Sequence, residues 1–455
     1  MERFDAVVVG AGQAGPGVAV TLAAEGARVA LVEADRVGGT CLNHGCRPTK
    51  ALRASARRAH LARTGEALGV RAASVTLDWE RARQRKDALI EEWRDGFEHR
   101  LGDLAGIEIV RGEGRLAGTE PEGHVVAVGD RRLLAPKVYL DVGGRPRIPD
   151  ITGLDDVDAW TETELLEADA PPDHLVILGG GYLGVEFGQM FRRFGSDVTI
   201  VQRAGHLLPA EDIEISETIE EVVRNEGVEL RLGVDATGAA RTQTGVRLDV
   251  GDGPPVEGTA LLIAVGRTPN TDRLGLHTVG LRTDERGFVP TDDRFATAVE
   301  GIWALGDMNG RGAFTHTAYQ DFEIVVDGGR TAGGRIATYA VFCDPALGRV
   351  GMTERQAIAT GRTVLVGRQP MGTLTRARLE GDSVGLMKLV VDGDTDEILG
   401  AAVLGDTGDE VIQVVSALMQ ANAPARVLRE MLPVHPTVSE FWPTVAGSLE
   451  PVASA

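Results

Sequence analysis

Cys41 and Cys46 lie within the run Gly38-Gly-Thr-Cys41-Leu-Asn-His-Gly-Cys46-Arg-Pro-Thr-Lys50, and Cys343 is the only other cysteine in 455 residues. A secreted disulfide scaffold would carry more cysteines in even pairs; a close pair in a large chain points to metal or redox work. Three readings stand: a redox-active pair, two buried structural thiols, or half of a zinc site. Zinc needs further Cys or His ligands at suitable spacing, and His44 alone is nearby, so no metal is expected. In an ideal helix, residues five apart are separated by about 7.5 Å along the axis. That exceeds the roughly 7 Å Cα limit of a disulfide. If the pair bonds, the segment departs from ideal helix, and Asn43 and Gly45 permit such a departure.

Redox work needs an electron carrier, and two segments are built to hold one. Phe4–Glu33 reads as an apolar strand, the turn Gly10-Ala-Gly12-Gln-Ala-Gly15, an Ala-rich helix and a second strand ending at Glu33. Leu175–Arg203 repeats the design around Gly179-Gly-Gly181-Tyr-Leu-Gly184. Each is the βαβ unit that binds dinucleotides, in roughly 30 residues. Gly10 and Gly179 make the tight turn, Gly12 and Gly181 admit the pyrophosphate, and Gly15 and Gly184 let helix pack on strand. The helix N-terminus offers free N–H groups and a positive dipole end to the phosphates. One such turn is weak evidence; two in full strand–turn–helix–strand context are strong, and FAD and NAD(P) are the natural pair of occupants.

Length and composition set the frame. A chain of 455 residues divides into about three domains of ordinary size. Hydrophobic content of 43% and charged content of 25% are those of a globular protein. A net charge of −20 disfavours nucleic acid as a partner. No apolar run approaches the roughly 18 residues of a membrane span. The opening MERFDAVVVGAG lacks a signal-peptide pattern, so a cytoplasmic protein is expected. Trp79–Leu101 is charged, with Leu89, Trp93 and Phe97 at helical spacing, and reads as a packed surface helix. From about residue 335 strands and helices alternate with no third glycine turn.

The stretch GGTCLNHGCRPTK resembles the redox-active motif of the class I pyridine nucleotide–disulfide oxidoreductases, which include lipoamide dehydrogenase, glutathione and mycothione reductases, and mercuric reductase. ALGD (304–307), VGRTPN (265–270) and His435-Pro-Thr-Val-Ser-Glu440 are similar to further family motifs, so the resemblance covers nearly the whole chain. GAGQAGPGVA and FTHTAYQDFEIV (314–325) look closest to the mercuric-reductase-like branch. The resemblance implies an α/β fold with two Rossmann-like domains and a C-terminal α+β dimerisation domain. The expected division is 1–144 with 270–334 for FAD, 145–269 for NAD(P), and 335–455 for the interface of a homodimer.

It also implies roles. Cys46 would lie beside the flavin and Cys41 would be the exposed thiol that attacks substrate. Lys50 would stabilise reduced flavin, paired with Glu186, and Tyr182 would cover the nicotinamide pocket. Glu33 would bond the FAD ribose and Asp307 the ribitol or pyrophosphate side, with Arg267 a further cofactor contact. Only a thiolate attacks disulfides, and a free thiol is mostly protonated at neutral pH. His435, oriented by Glu440, would take that proton, reaching the disulfide of the other subunit.

Dinucleotide sites read the adenosine ribose at the end of the second strand, where an acid bonds NAD and an arginine accommodates the NADP phosphate. Here that end is Gln202-Arg203, which favours NADPH, with NADH the alternative. Metal-transfer cysteines of mercuric reductases are missing after Cys343, which disfavours Hg(II) as well as protein disulfides. Cys343 reads as a small core residue. The expected activity is an FAD-dependent NAD(P)H:disulfide oxidoreductase acting on a small disulfide or related electrophile. Alternatives are an NAD-dependent dihydrolipoamide dehydrogenase, a dithiol oxidase running in reverse, and a flavin-bound protein whose disulfide is vestigial. His44 and Arg47, beside the pair, either raise local positive potential toward an acidic substrate or face solvent.

Overall fold

The computed structural model describes residues 1–452. Its first layer is a parallel sheet in the order Ile302–Ala304, Lys137–Leu140, Ala6–Val9, Val29–Glu33, Ile107–Arg111. These strands are apolar nearly throughout because a parallel sheet is covered on both faces. Val7, Val8, Ala30 and Leu31 are fully buried. The last of these strands in sequence, Ile302–Ala304, joins this sheet although the whole of the second sheet precedes it. Helix α1 (Gly15–Ala24) packs over the Ala6–Val9 strand, with Pro16 in the first turn, where its missing N–H costs nothing.

A second parallel sheet runs Ala159–Trp160, Ala260–Ile263, His174–Leu178, Asp197–Gln202, Val228–Leu232. The helix Tyr182–Phe194 lies on it, from Val185 to Phe194 almost wholly buried, and Gly195 ends it at φ 107°. The third layer is a six-stranded antiparallel sheet, Thr338–Val341, Ala346–Gly351, Ile398–Gly405, Leu386–Asp392, Val364–Pro370, Glu450–Pro451. Cys343 is 3% exposed at its edge, a core residue as its apolar surroundings implied. The buried Arg349 binds this sheet to the second unit through Glu211 and Asp212. No described helix is long and apolar enough to cross a membrane.

Three further helices matter to the chemistry: α2 (Gly39–Asn43), α3 (Cys46–Thr64) and α4 (Trp79–Gly102). Asp78 caps α4 by accepting from the Arg81 N–H. The face of α4 that is buried differs from the expected one. Trp79, Ala82, Lys86 and Ile90 are inside, whereas Leu89 is half-buried and Trp93 is 38% exposed. Tertiary contacts override the stripe: Trp79 sits edge-on to Phe194, and the Lys86 ammonium reaches the Leu166 carbonyl at 2.7 Å.

Candidate active site

The two cysteines fall on different helices. Cys41 lies within α2, α2 stops at Asn43, and Cys46 begins α3. Gly45, at φ −128° and ψ −115°, redirects the chain between them. A Cβ on Gly45 would stand 3.0 Å from the Thr40 carbonyl oxygen and 3.4 Å from the Cys41 Cα, so a bare backbone lets the two turns close together. This is the departure from ideal helix that a bonded pair demands. Asn43 contributes differently: its amide donates to the Val37 and Gly39 carbonyls, both at 3.0 Å, and fixes α2 in place.

Both thiols are free here. The Cys41 thiol hydrogen-bonds to Cys46, and with Thr315 and the Lys50 ammonium it draws Cys46 down from an ordinary 9.0 to about 6. The same bond, with burial, pushes Cys41 far up, so the pair holds one thiolate, on Cys46. The Thr315 hydroxyl is 3.5 Å from Cys46 Sγ. Lys50 Nζ donates to Glu186 Oε2 at 2.7 Å, and Glu186 Oε1 accepts from the Phe342 N–H at 2.8 Å. Glu186 is carried there by the helix Tyr182–Phe194, so the second unit orients a lysine of the first. Cys46 and the half-buried Cys41 both line a large cavity.

That cavity measures about 1450 Å³ and is lined by Gly10, Gly12, Glu33, Cys41, Cys46, Lys50, Tyr182, Glu186, Arg267 and Asp307. At Gly10, φ is 107° and a Cβ would collide with the Asp141 carbonyl; at Gly15 a Cβ would collide with the Gly10 carbonyl. Glu33 turns its carboxylate back to the Ala11 N–H at 2.7 Å. Burial pushes the Asp307 carboxyl upward against the pull of Arg267. Arg267 is itself held at 2.6 Å by Glu162. Tyr182 lies over Phe314, ring centroids 6.1 Å apart. A glycine cradle at one end, an acid at the ribose position and a lysine beside two sulfurs at the other end fit an extended flavin dinucleotide.

Gly179 repeats Gly10 at φ 115°, its Cβ barred by the Ala264 carbonyl, and Gly184 repeats Gly15, barred by Gly179. Gly181 has open space before it. Arg203 lies outside the large cavity, its side chain 83% exposed and 3.9 Å from Asp235. His435 and Glu440 are likewise apart from the sulfurs: no cavity-lining residue lies beyond Asn422. The two do meet each other, His435 Nδ1 to Glu440 Oε2 at 2.8 Å, on a loop where Leu432 is 98% and Val434 75% exposed.

Sequence reasoning overlooked Thr315 and Asp141. Asp141 ends the apolar run VYL with a charge, just before Val-Gly-Gly, which is a legible signal. Thr315 had none, because only the tertiary fold brings it to Cys46. His44 is half-buried, 3.9 Å from Asp35. Arg47 is exposed, over the Trp93 ring at 5.3 Å.

The profile of the pyridine nucleotide-disulphide oxidoreductase family matches residues 4–321, and that of its dimerisation domain matches residues 337–446. The chain is 35% identical to the probable pyridine nucleotide-disulfide oxidoreductase RclA of Escherichia coli strain K12, over 97% of this chain and 98% of that protein. It is 32% identical to a dihydrolipoyl dehydrogenase of Haloferax volcanii, over 95% and 94% of the two. Among solved structures it superposes on a Cu(II) complex of the HOCl-induced flavoprotein disulfide reductase RclA from Escherichia coli. That match has a TM-score of 0.89 at 34% identity, covering 98% of this chain and 99% of the other.

Proposed function

The chain belongs to the pyridine nucleotide-disulphide oxidoreductase family, FAD-dependent enzymes that draw electrons from NAD(P)H, and on that premise we propose its particular reaction. It is an NADPH-preferring reductase that passes electrons through FAD to a Cys41–Cys46 disulfide and on to a small disulfide or related electrophile. The observation that carries this reading is one cavity holding both the first glycine turn and the Cys41, Cys46, Lys50, Glu186 cluster.

The chain's own groups divide the work. Bound FAD supplies a two-electron relay between the nicotinamide and the disulfide. Gly10, Gly12, Gly15, Glu33, Asp307 and Arg267 would hold it, and Lys50, fixed by Glu186, would supply a positive charge that favours the reduced, anionic ring. Gly179, Gly181, Gly184 and Arg203 hold the nicotinamide nucleotide, with Tyr182 closing the pocket. Reduction of the disulfide by two electrons leaves Cys46 as thiolate and Cys41 as the thiol that attacks substrate. Cys41 must lose its proton to do so, and His435, oriented by Glu440, takes it from across a homodimer. The exposed Leu432 and Val434 beside His435 support such an interface. The domain division follows: 1–144 with 270–334 for FAD, 145–269 for NAD(P), 335–455 for dimerisation.

Steady-state turnover with NADPH and NADH against small disulfides tests the reading. Because the relatives include an HOCl-induced reductase solved with Cu(II), the panel extends to chloramines and Cu(II). Expected is disulfide turnover that Cys41→Ser abolishes while flavin content stays unchanged. Full turnover by Cys41→Ser would defeat it, as would strong NADH preference for its nucleotide part.

A further inference from the structure

Asp141 is a buried carboxyl, 6% exposed, to which the proposed reaction gives no task. It follows the strand Lys137–Leu140 and points at the first turn of α1. Its Oδ2 accepts from the Gly15 N–H at 2.7 Å and the Ala14 N–H at 3.1 Å. Free N–H groups at such a helix start are what a dinucleotide pyrophosphate seeks. Oδ2 also lies 3.0 Å from where a Cβ on Gly12 would stand, and Oδ1 lies 3.0 Å from that of Gly306. Gly12 is the glycine whose bare backbone admits the pyrophosphate. The carboxyl and the phosphates therefore share one helix N-terminus.

The charges around it are acidic. Asp307 faces it from the turn Gly306–Asn309, and Asp321 from the helix Thr315–Asp327. Arg335 is taken by Asp321, and Glu33 at the end of its strand is taken by the Ala11 and Asp35 N–H groups. The first turn of α1 carries no charged side chain. Among the described residues no basic group pairs with Asp141. Burial above all, with Asp307 and Asp321, pushes its carboxyl up to about 8 in spite of the two N–H bonds. Two more negative charges from a pyrophosphate push it further the same way.

We propose that Asp141 is the neutral acid in the FAD complex, so that FAD binding takes one proton from solvent onto Oδ1, the oxygen the helix leaves free. The inference rests on FAD occupying the first glycine turn, as proposed above. The second unit has Ala264 at the corresponding place and takes up no proton there.

The sign follows from linkage. Below the pKa of the free protein, Asp141 is protonated with or without FAD and affinity is level. Above it, the free protein loses the proton that the complex keeps, and affinity falls about tenfold per pH unit. The test dilutes full-length holoenzyme at pH 6.5 to 9.5 and reads released FAD by its fluorescence. Expected for the natural chain is a level Kd up to about pH 8 and a tenfold weakening per unit above. Expected for Asp141→Asn is a Kd independent of pH across the range. A level profile in the natural chain, or the same slope in Asp141→Asn, overturns the proposal. If Asp141→Asn does not fold, calorimetry of FAD rebinding at pH 9.5 in two buffers of different ionisation heat decides: about one proton taken up supports the proposal, none overturns it. A purified protein without FAD would fail the cofactor reading instead.

Discussion

The two glycine turns have the same backbone and different side chains. Gly10 and Gly179 share a left-handed φ, and each is barred from a Cβ by the carbonyl of the residue closing its neighbouring strand, Asp141 in one and Ala264 in the other. Gly15 and Gly184 share the second constraint. The divergence is in what points into each site. The first has Glu33 bonded to its own turn and a buried Asp141 across the helix start. The second has Gln202, whose Cβ lies 3.1 Å from a Cβ on Gly180, then the exposed Arg203. The two turns thus share their backbone constraints and differ in two or three side chains at matched positions.

The largest expected effect comes from adding one methyl to each turn. Gly15→Ala should force α1 off its strand at about 1–3 kcal/mol and yield protein that loses its yellow colour. Gly184→Ala should retain FAD, seen by absorbance, yet turn over NADPH poorly. If both lose FAD equally, the two sites are not separable in this way. Next, Ala264→Asp transplants the acid of the first turn into the second. Once ionised, that carboxyl should raise KM for NADPH about tenfold per pH unit, roughly 1.4 kcal/mol, with flavin content unchanged; a KM unaltered up to about pH 9.5 would mean the phosphates do not approach that position. A smaller, selective change is expected from Arg203→Ala, which should weaken NADPH by several fold and leave NADH alone, while Gln202→Glu should improve NADH. Kinetics with both nucleotides measures this contrast.

The mildest test concerns protons beside the first site. In the two-electron-reduced protein the Cys46 thiolate against flavin should give a long-wavelength absorbance band, which fades as pH falls through about 6. The folded pKa is depressed, so this thiolate stabilises the reduced fold above pH 9 and that contribution is lost as pH falls through about 6. Thr315→Val should move the fading point upward, because the hydroxyl near Cys46 lowers it. A fading point unchanged by Thr315→Val would remove that hydroxyl from the account.

Much of this was legible in the chain. The strands Ala6–Val9 and His174–Leu178 were expected from apolar runs ending in glycine, and they form as expected because those runs are bounded by residues only a tight turn tolerates. The C-x4-C segment announced its own distortion through Gly45. What failed was directional. On α4 the stripe Leu89, Trp93, Phe97 competed with Trp79, Ala82, Ile90, and periodicity does not say which neighbour arrives.

The sequence by itself determined the two βαβ units, the cysteine pair and the lysine behind it, because each is encoded within a few tens of residues by glycine placement and local spacing. The family resemblance implied that Glu186 meets Lys50; only the tertiary structure decided that Thr315 meets Cys46 and that Asp141 accepts from the first turn of α1. Those encounters join residues more than a hundred positions apart. They are set by how strands order themselves in a sheet and how one unit docks on another, and no local pattern carries that information.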